Sequence, residues 1–138
     1  MINSEFRKKM ADSWFSYLQV QICKSFEILE GNKLKFSKRD WYKKNAKEGG
    51  GTSYLLTKGK IFDKVGVNKS TVSGTFPKQF RSKILGAGRD GKYWASGISI
   101  VAHIKNGVTN IFTSPIEKKQ EVLVEFFLIM KLKIGKKI

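Results

Sequence analysis

The chain holds one histidine, His103, one cysteine, Cys23, and two prolines, Pro77 and Pro115, among 138 residues. A lone cysteine excludes a disulfide framework within the chain and suits a reducing compartment. A lone histidine excludes a multi-histidine metal site and leaves one imidazole for any Ser-His-Asp or Cys-His arrangement. Acidic residues are scarce too: 11 against 27 basic ones, for a net charge of +16. Arginine is scarce among the basic residues, with only Arg7, Arg39, Arg81 and Arg89. Base-edge and bidentate phosphate recognition favour the guanidinium fork over the lysine point charge. The lysines are scattered rather than gathered on one face, so no specific nucleic-acid partner is expected. Long apolar runs are also missing. The greasiest segment, Val122 to Met130, is interrupted by Glu125 and is too short for a bilayer span. Met1 to Arg7 lacks the apolar stretch of a signal peptide. A soluble, cytoplasmic protein with no membrane span is expected. A non-enzymatic basic module that binds RNA or an anionic membrane surface through its lysines is the alternative reading.

What is present suits one folded body. Hydrophobic residues make up 41% of the chain and aromatics 12%, far from the composition of disorder. Trp14, Leu18, Ile22, Phe26 and Leu29 recur every three or four residues, the spacing of a helix stripe that packs on a core. Asp12 or Ser13 offers its N-cap, and Gly31-Asn32 its end. Cys23 falls inside this helix as a core residue. A basic connector over 32–51 closes on Gly49-Gly50-Gly51. Two strand-like segments follow, Ser53 to Leu56 and Lys60 to Val65, joined at Lys58-Gly59 as a hairpin. Residues 66–92 are rich in turn formers, with a short helical turn near Gln79 to Ile84. Tyr93 to His103 alternates as a strand, with Ile98, Ile100 and Ala102 on one face and Ser99, Val101 and His103 on the other. The fold class is therefore α+β: an antiparallel sheet flanked by helices. In the tail, Ser114-Pro115-Ile116-Glu117 has the capping-box pattern and opens a helix to about Lys133, although the β-branched and aromatic content of 122–130 keeps a strand open.

No catalytic constellation can be built from residue types alone. His103 by itself reads more readily as a structural histidine than as a catalyst or ligand. Gly49-Gly50-Gly51 lacks the Gly-Lys-Ser/Thr of a phosphate loop and reads as a flexible turn that lets backbone pass close to a neighbour.

Taken in order, these features are specific. Phe36, Asp40-Trp41, Gly49-Gly50-Gly51, the segment Ile61-Phe62-Asp63-Lys64-Val65-Gly66-Val67-Asn68-Lys69-Ser70, and the strand Gly97-Ile98-Ser99-Ile100-Val101-Ala102-His103 resemble the oxygen-dependent coproporphyrinogen III oxidase family over about residues 10–107. The resemblance implies a part of a larger flat antiparallel sheet, a homodimer in the family, and an enzyme of haem biosynthesis. That enzyme uses molecular oxygen to decarboxylate two propionate arms of coproporphyrinogen III to vinyl groups. By the same resemblance Ser99 contacts substrate and His103 is a metal ligand, which implies a divalent metal. A substrate with four carboxylates also suits a strongly basic chain.

The sequence departs from the family ten residues beyond His103, where a proton-donor histidine is expected and Thr113 stands. A threonine hydroxyl does not titrate near neutral pH and makes no general acid there. The expected organisation is thus a family-like part over 1–107 and a divergent, helical tail over 108–138. The expected chain is truncated, with no assigned catalytic residue and little turnover of its own.

Overall fold

A long amphipathic helix followed by runs of alternating residues can bury both only by laying the helix on one face of a sheet. The computed structural model has this arrangement; it describes residues 3–84 and 88–105, together with the backbone of 121–126. Helix α1 (Ser4–Leu29) precedes five strands: β1 (Ser37–Tyr42), β2 (Gly49–Thr57), β3 (Phe62–Thr75), β4 (Lys92–Ile104) and β5 (Glu121–Phe126). A short helix α2 (Lys78–Arg81) lies between β3 and β4. The sheet runs β1-β2-β3-β4-β5 in chain order, every pair antiparallel. Consecutive strands are thus neighbours in the sheet.

Helix α1 begins earlier than the Asp12 or Ser13 cap would have it. Asn3 is the cap, its side chain accepting the Phe6 amide at 2.8 Å, and Glu5 sits in the first turn where the helix dipole favours an acid. The helix ends where expected. Gly31 and Asn32 adopt left-handed backbone (φ 77° and 58°), and the Asn32 amide reaches back to the Glu27 carbonyl at 2.8 Å.

The buried stripe differs from the one the apolar spacing suggests. Trp14 and Leu29 are exposed, each at 57%, whereas Ala11, Phe15, Gln19 and Cys23 face the sheet with Leu18, Ile22 and Phe26 at their flank. A polar Gln19 hides this stripe from a search for apolar periodicity. It is buried because its amide donates to the carbonyls of Thr52 (2.8 Å) and Val67 (2.9 Å), so the polar group loses nothing on leaving water. Against this stripe the sheet presents Leu56, Val65, Val67, Ile98, Ile100 and Ala102. The expected faces of β4 therefore hold.

Two segments expected as connectors are strands. Within 32–51, β1 and the start of β2 pair directly, Trp41 with Gly51 and Tyr42 with Gly50. Gly49, at φ 94°, closes a short helical turn over Ala46–Glu48, and the other two glycines serve close approach: a Cβ on Gly51 would lie 2.1 Å from the Lys69 carbonyl and 2.9 Å from the Trp41 indole. Likewise β3 runs to Thr75, well beyond Val65, because its serines, threonines and lysines pair with β2 on one side and β4 on the other. The hairpin at Lys58-Gly59 is present. Its turn is held by Glu30, only 4% exposed, whose carboxylate accepts the amides of Lys60 (2.6 Å), Ile61 (2.9 Å) and Phe62 (2.7 Å). Residues 121–126, expected within the tail helix, form β5 on the edge of β4; sheet pairing wins over the local capping signal there. Val108, Thr113 and the capping box at 114–117 lie outside the described residues.

No helix among the described residues is long and apolar enough to cross a membrane.

Candidate functional site

With α1 on one face, the opposite face of the sheet is left open among the described residues, and strand register sorts its side chains into rows. One row crosses the sheet as Arg39, Ser53, Asn68 and Ser99. The next, two residues along, is Ser37, Leu55, Gly66 and Val101; the third is Thr57, Lys64 and His103. In the backbone pairing Ser99 stands opposite Glu125 of β5 and His103 opposite Glu121. Behind the first row, Trp41 lies over Gly51, whose missing side chain makes room for the indole. Polar rows thus border an apolar row floored by a glycine.

A groove of about 510 Å³ runs over these rows, lined by Arg39, Ser53, Leu55, Lys64, Asn68 and His103, with Gly66 and Val101 between them. That volume falls in the range that accommodates a cofactor-sized molecule. Its walls are cationic and hydroxyl- or amide-bearing, and its floor is apolar. Such a surface can take a ligand with an apolar body and anionic groups at its edge.

Ser99 and His103 both stand on this face of β4, four residues and therefore about 13 Å apart along the strand. His103 lines the groove itself; Ser99 adjoins it through its cross-strand neighbour Asn68, which lines it. The two are not in mutual contact at that spacing, so they mark two ends of one wall. As a metal centre the described residues do not fit: no cluster of three or more His, Cys, Asp or Glu side chains occurs among them. Thr113 lies outside the described residues.

Arg39, Ser53, Lys64 and Asn68 were not singled out as site residues on the sequence alone. Period-two alternation marks each as sharing a face with its own strand's neighbours, but only the pairing register brings three strands into one wall.

The opposite face is held by a polar anchor. Asp12 of α1 accepts from Lys69 Nζ and Thr71 Oγ1, and Thr71 shares a 2.7 Å hydrogen bond with the buried Ser96 hydroxyl. Burial would raise the Asp12 carboxyl, but the hydrogen bonds from Lys69 and Thr71 and the lysine's charge outweigh it and hold it below the usual carboxylate value. This anchor fixes α1 against β3 and β4 and leaves the groove face to its own residues.

The sequence profile of the family described as Coproporphyrinogen III oxidase matches residues 10–117. The chain belongs to this family. The match passes the boundary at 107 that the motifs alone suggested and includes Thr113. The oxygen-dependent coproporphyrinogen-III oxidases of Rickettsia typhi and Rickettsia prowazekii are each 46% identical to the chain over 114 residues, covering 76% of it and 39% of those proteins. That of Rickettsia felis is 46% identical over 107 residues, 72% of this chain and 37% of the relative. The chain thus spans about two fifths of the length of the curated relatives it matches.

Proposed function

We propose that this chain supplies the substrate-binding sheet face of an oxygen-dependent coproporphyrinogen III oxidase of haem biosynthesis, and that it turns over little substrate by itself. The carrying observation is the groove on the open face, an apolar floor between cationic and polar rows, with His103 in its lining and Ser99 beside it. In this reading the ring of coproporphyrinogen III lies over Leu55, Gly66 and Val101, and Ser99 contacts its edge from the neighbouring row. Burying the ring's apolar surface contributes about 25 cal/mol per Å², while the polar rows fix its orientation.

The chemistry removes carbon dioxide and two electrons from each of two propionate arms, with molecular oxygen as acceptor. A proton must be delivered or removed at the reacting carbons, and Thr113, where the family's donor histidine is expected, cannot do so near neutral pH. Loss of one well-placed general acid lowers rate by about 10²–10⁴-fold. For the expected metal, His103 would hold one coordination position, and the described residues do not complete a set. A cytoplasmic location and, within a complete fold, a homodimer accompany this proposal.

The test is conversion of coproporphyrinogen III by the purified 138-residue chain under air, with an oxygen-free control and Ser99→Ala alongside. Negligible product despite measurable binding is the expected outcome. Oxygen-dependent product at the rate of an intact family enzyme, abolished in Ser99→Ala, would show that the chain carries its own proton donor and would overturn the low-turnover half of the proposal.

A further inference from the structure

We infer that Arg39 and Lys64 are carboxylate-binding positions for two propionate arms of the tetrapyrrole, placed at diagonally opposite corners of the groove. The inference rests on reading the groove as the tetrapyrrole face and adds to it the residues that set ligand orientation.

The first support is position. Arg39 belongs to the row of Ser53 and Asn68 on β1, while Lys64 belongs to the row of His103 on β3, and both line the groove. They stand two strands apart across the sheet, about 10 Å, and two rows apart along it, about 13 Å, for a diagonal of about 16 Å between backbones. Both side chains are long enough to lean inward over Leu55 and Gly66. The span suits a macrocycle whose acid arms radiate from its rim.

The second support is charge. Lys8, Lys35, Lys38, Lys43 and Lys69 each pair with an acid, to Glu5, Glu27, Asp40, Glu48 and Asp12 respectively. Arg39 and Lys64 form no ion pair with any described acidic residue. They are therefore cations whose charge is not spent internally, at the walls of the one described groove that also holds Ser53, Asn68 and His103. An anionic arm is drawn towards these two charges.

The two corners differ in kind. The Arg39 guanidinium can present two parallel N–H groups to one carboxylate, whereas the Lys64 ammonium acts as a point charge. Arg39→Lys should therefore rescue Arg39→Gln only in part, while Lys64→Arg should rescue Lys64→Gln fully.

The experiment is a fluorescence titration of the 138-residue chain with coproporphyrin III, the stable aromatic form of the ring, and with its tetramethyl ester, which keeps the ring and removes the charges. The unaltered chain should bind the tetra-acid more tightly than the ester. Arg39→Gln and Lys64→Gln should each weaken tetra-acid binding by about 3- to 10-fold and leave ester binding unchanged, with Lys38→Gln as a charge-matched control that does nothing. Added salt should weaken the unaltered chain more than the double variant. If the unaltered chain binds the tetra-acid and neither substitution differs from Lys38→Gln, the inference is wrong while the groove reading stands. If the unaltered chain binds neither porphyrin, the groove reading fails and the inference goes with it. Circular dichroism of each variant shows that the fold is retained.

Discussion

Replacing Glu30 by glutamine should destabilise the fold far more than a change of two atoms suggests. The carboxylate lies at the end of α1, is almost fully buried, and accepts three backbone amides at 2.6–2.9 Å from the β2–β3 turn. Gly59 passes so close that a Cβ there would meet the carboxylate at 2.4 Å. A hydrogen bond to a charged acceptor contributes about 1.5–3 kcal/mol, and leaving a buried donor without one costs about 1–3 kcal/mol. Glutamine can keep its oxygen on the Ile61 and Phe62 amides, and its NH₂ then faces the Lys60 amide. The expected cost is about 2–4 kcal/mol, against a total stability of about 5–15 kcal/mol for an ordinary domain, or a fall in Tm of about 10 °C.

The pH dependence carries a sign. Burial alone would raise the Glu30 carboxyl, but hydrogen bonds from Phe62, Lys60 and Ile61 and the charge of Lys105 hold it below the ordinary value of 4.5. A group whose folded value is depressed contributes stability that is present above its unfolded pKa and lost as pH falls through its folded one. The gap between Glu30→Gln and the unaltered chain should therefore be full at pH 7, narrow below pH 4.5, and close once the folded value is passed. Urea denaturation followed by circular dichroism at pH 7 and at a series of acidic pH values measures this. A Glu30→Gln chain within about 0.5 kcal/mol of the unaltered one at pH 7, the range of an ordinary surface change, would refute the reasoning.

Gln19→Leu keeps the volume but strips the donor from the Thr52 and Val67 carbonyls, and thermal melts should show a loss of about 1–3 kcal/mol; an unchanged Tm would mean those carbonyls are satisfied elsewhere. Gly51→Ala places a methyl against the Lys69 carbonyl and the Trp41 indole, which should cost about 1–3 kcal/mol by overpacking and weaken porphyrin binding by displacing β1; equal stability would contradict the packing described at that crossing. Burial, with a further push from the charge of Glu27, raises the Cys23 thiol to about 12, so a thiol reagent at pH 8 should label it slowly in the native chain and rapidly in denaturant. Rapid native labelling would place Cys23 outside the core.

Much of this was legible in the sequence, and what was not has a common cause. The period of Ile98, Ile100 and Ala102 gave the buried face of β4 correctly because each strand's faces are a local property. The helix was legible as a helix, but its buried stripe was not, since the deciding residue is Gln19 and its reason for burial is two carbonyls on strands far along the chain. Gly49 to Gly51 looked like a turn because glycine is ambiguous locally; only the pairing with Trp41 and Tyr42 on one side and with β3 on the other shows why no side chain fits. The strand at 121–126 was overridden by a local capping pattern, for the same reason in reverse. Ser99 and His103 came from motif resemblance rather than from any chemistry visible in isolation. Arg39, Ser53, Lys64 and Asn68 required the register of three strand pairs, which no local pattern encodes.

The central claim is that the tetrapyrrole lies on the sheet face opposite α1. Amide chemical-shift mapping of the isotopically labelled chain during titration with coproporphyrin III tests it most directly. Shifts gathered at Arg39, Ser53, Gly66, Asn68, Ser99, Val101 and His103, with Asp12, Phe15, Gln19 and Cys23 unmoved, are the predicted result. Shifts centred on α1, or spread evenly over the lysine-rich surface, would contradict it.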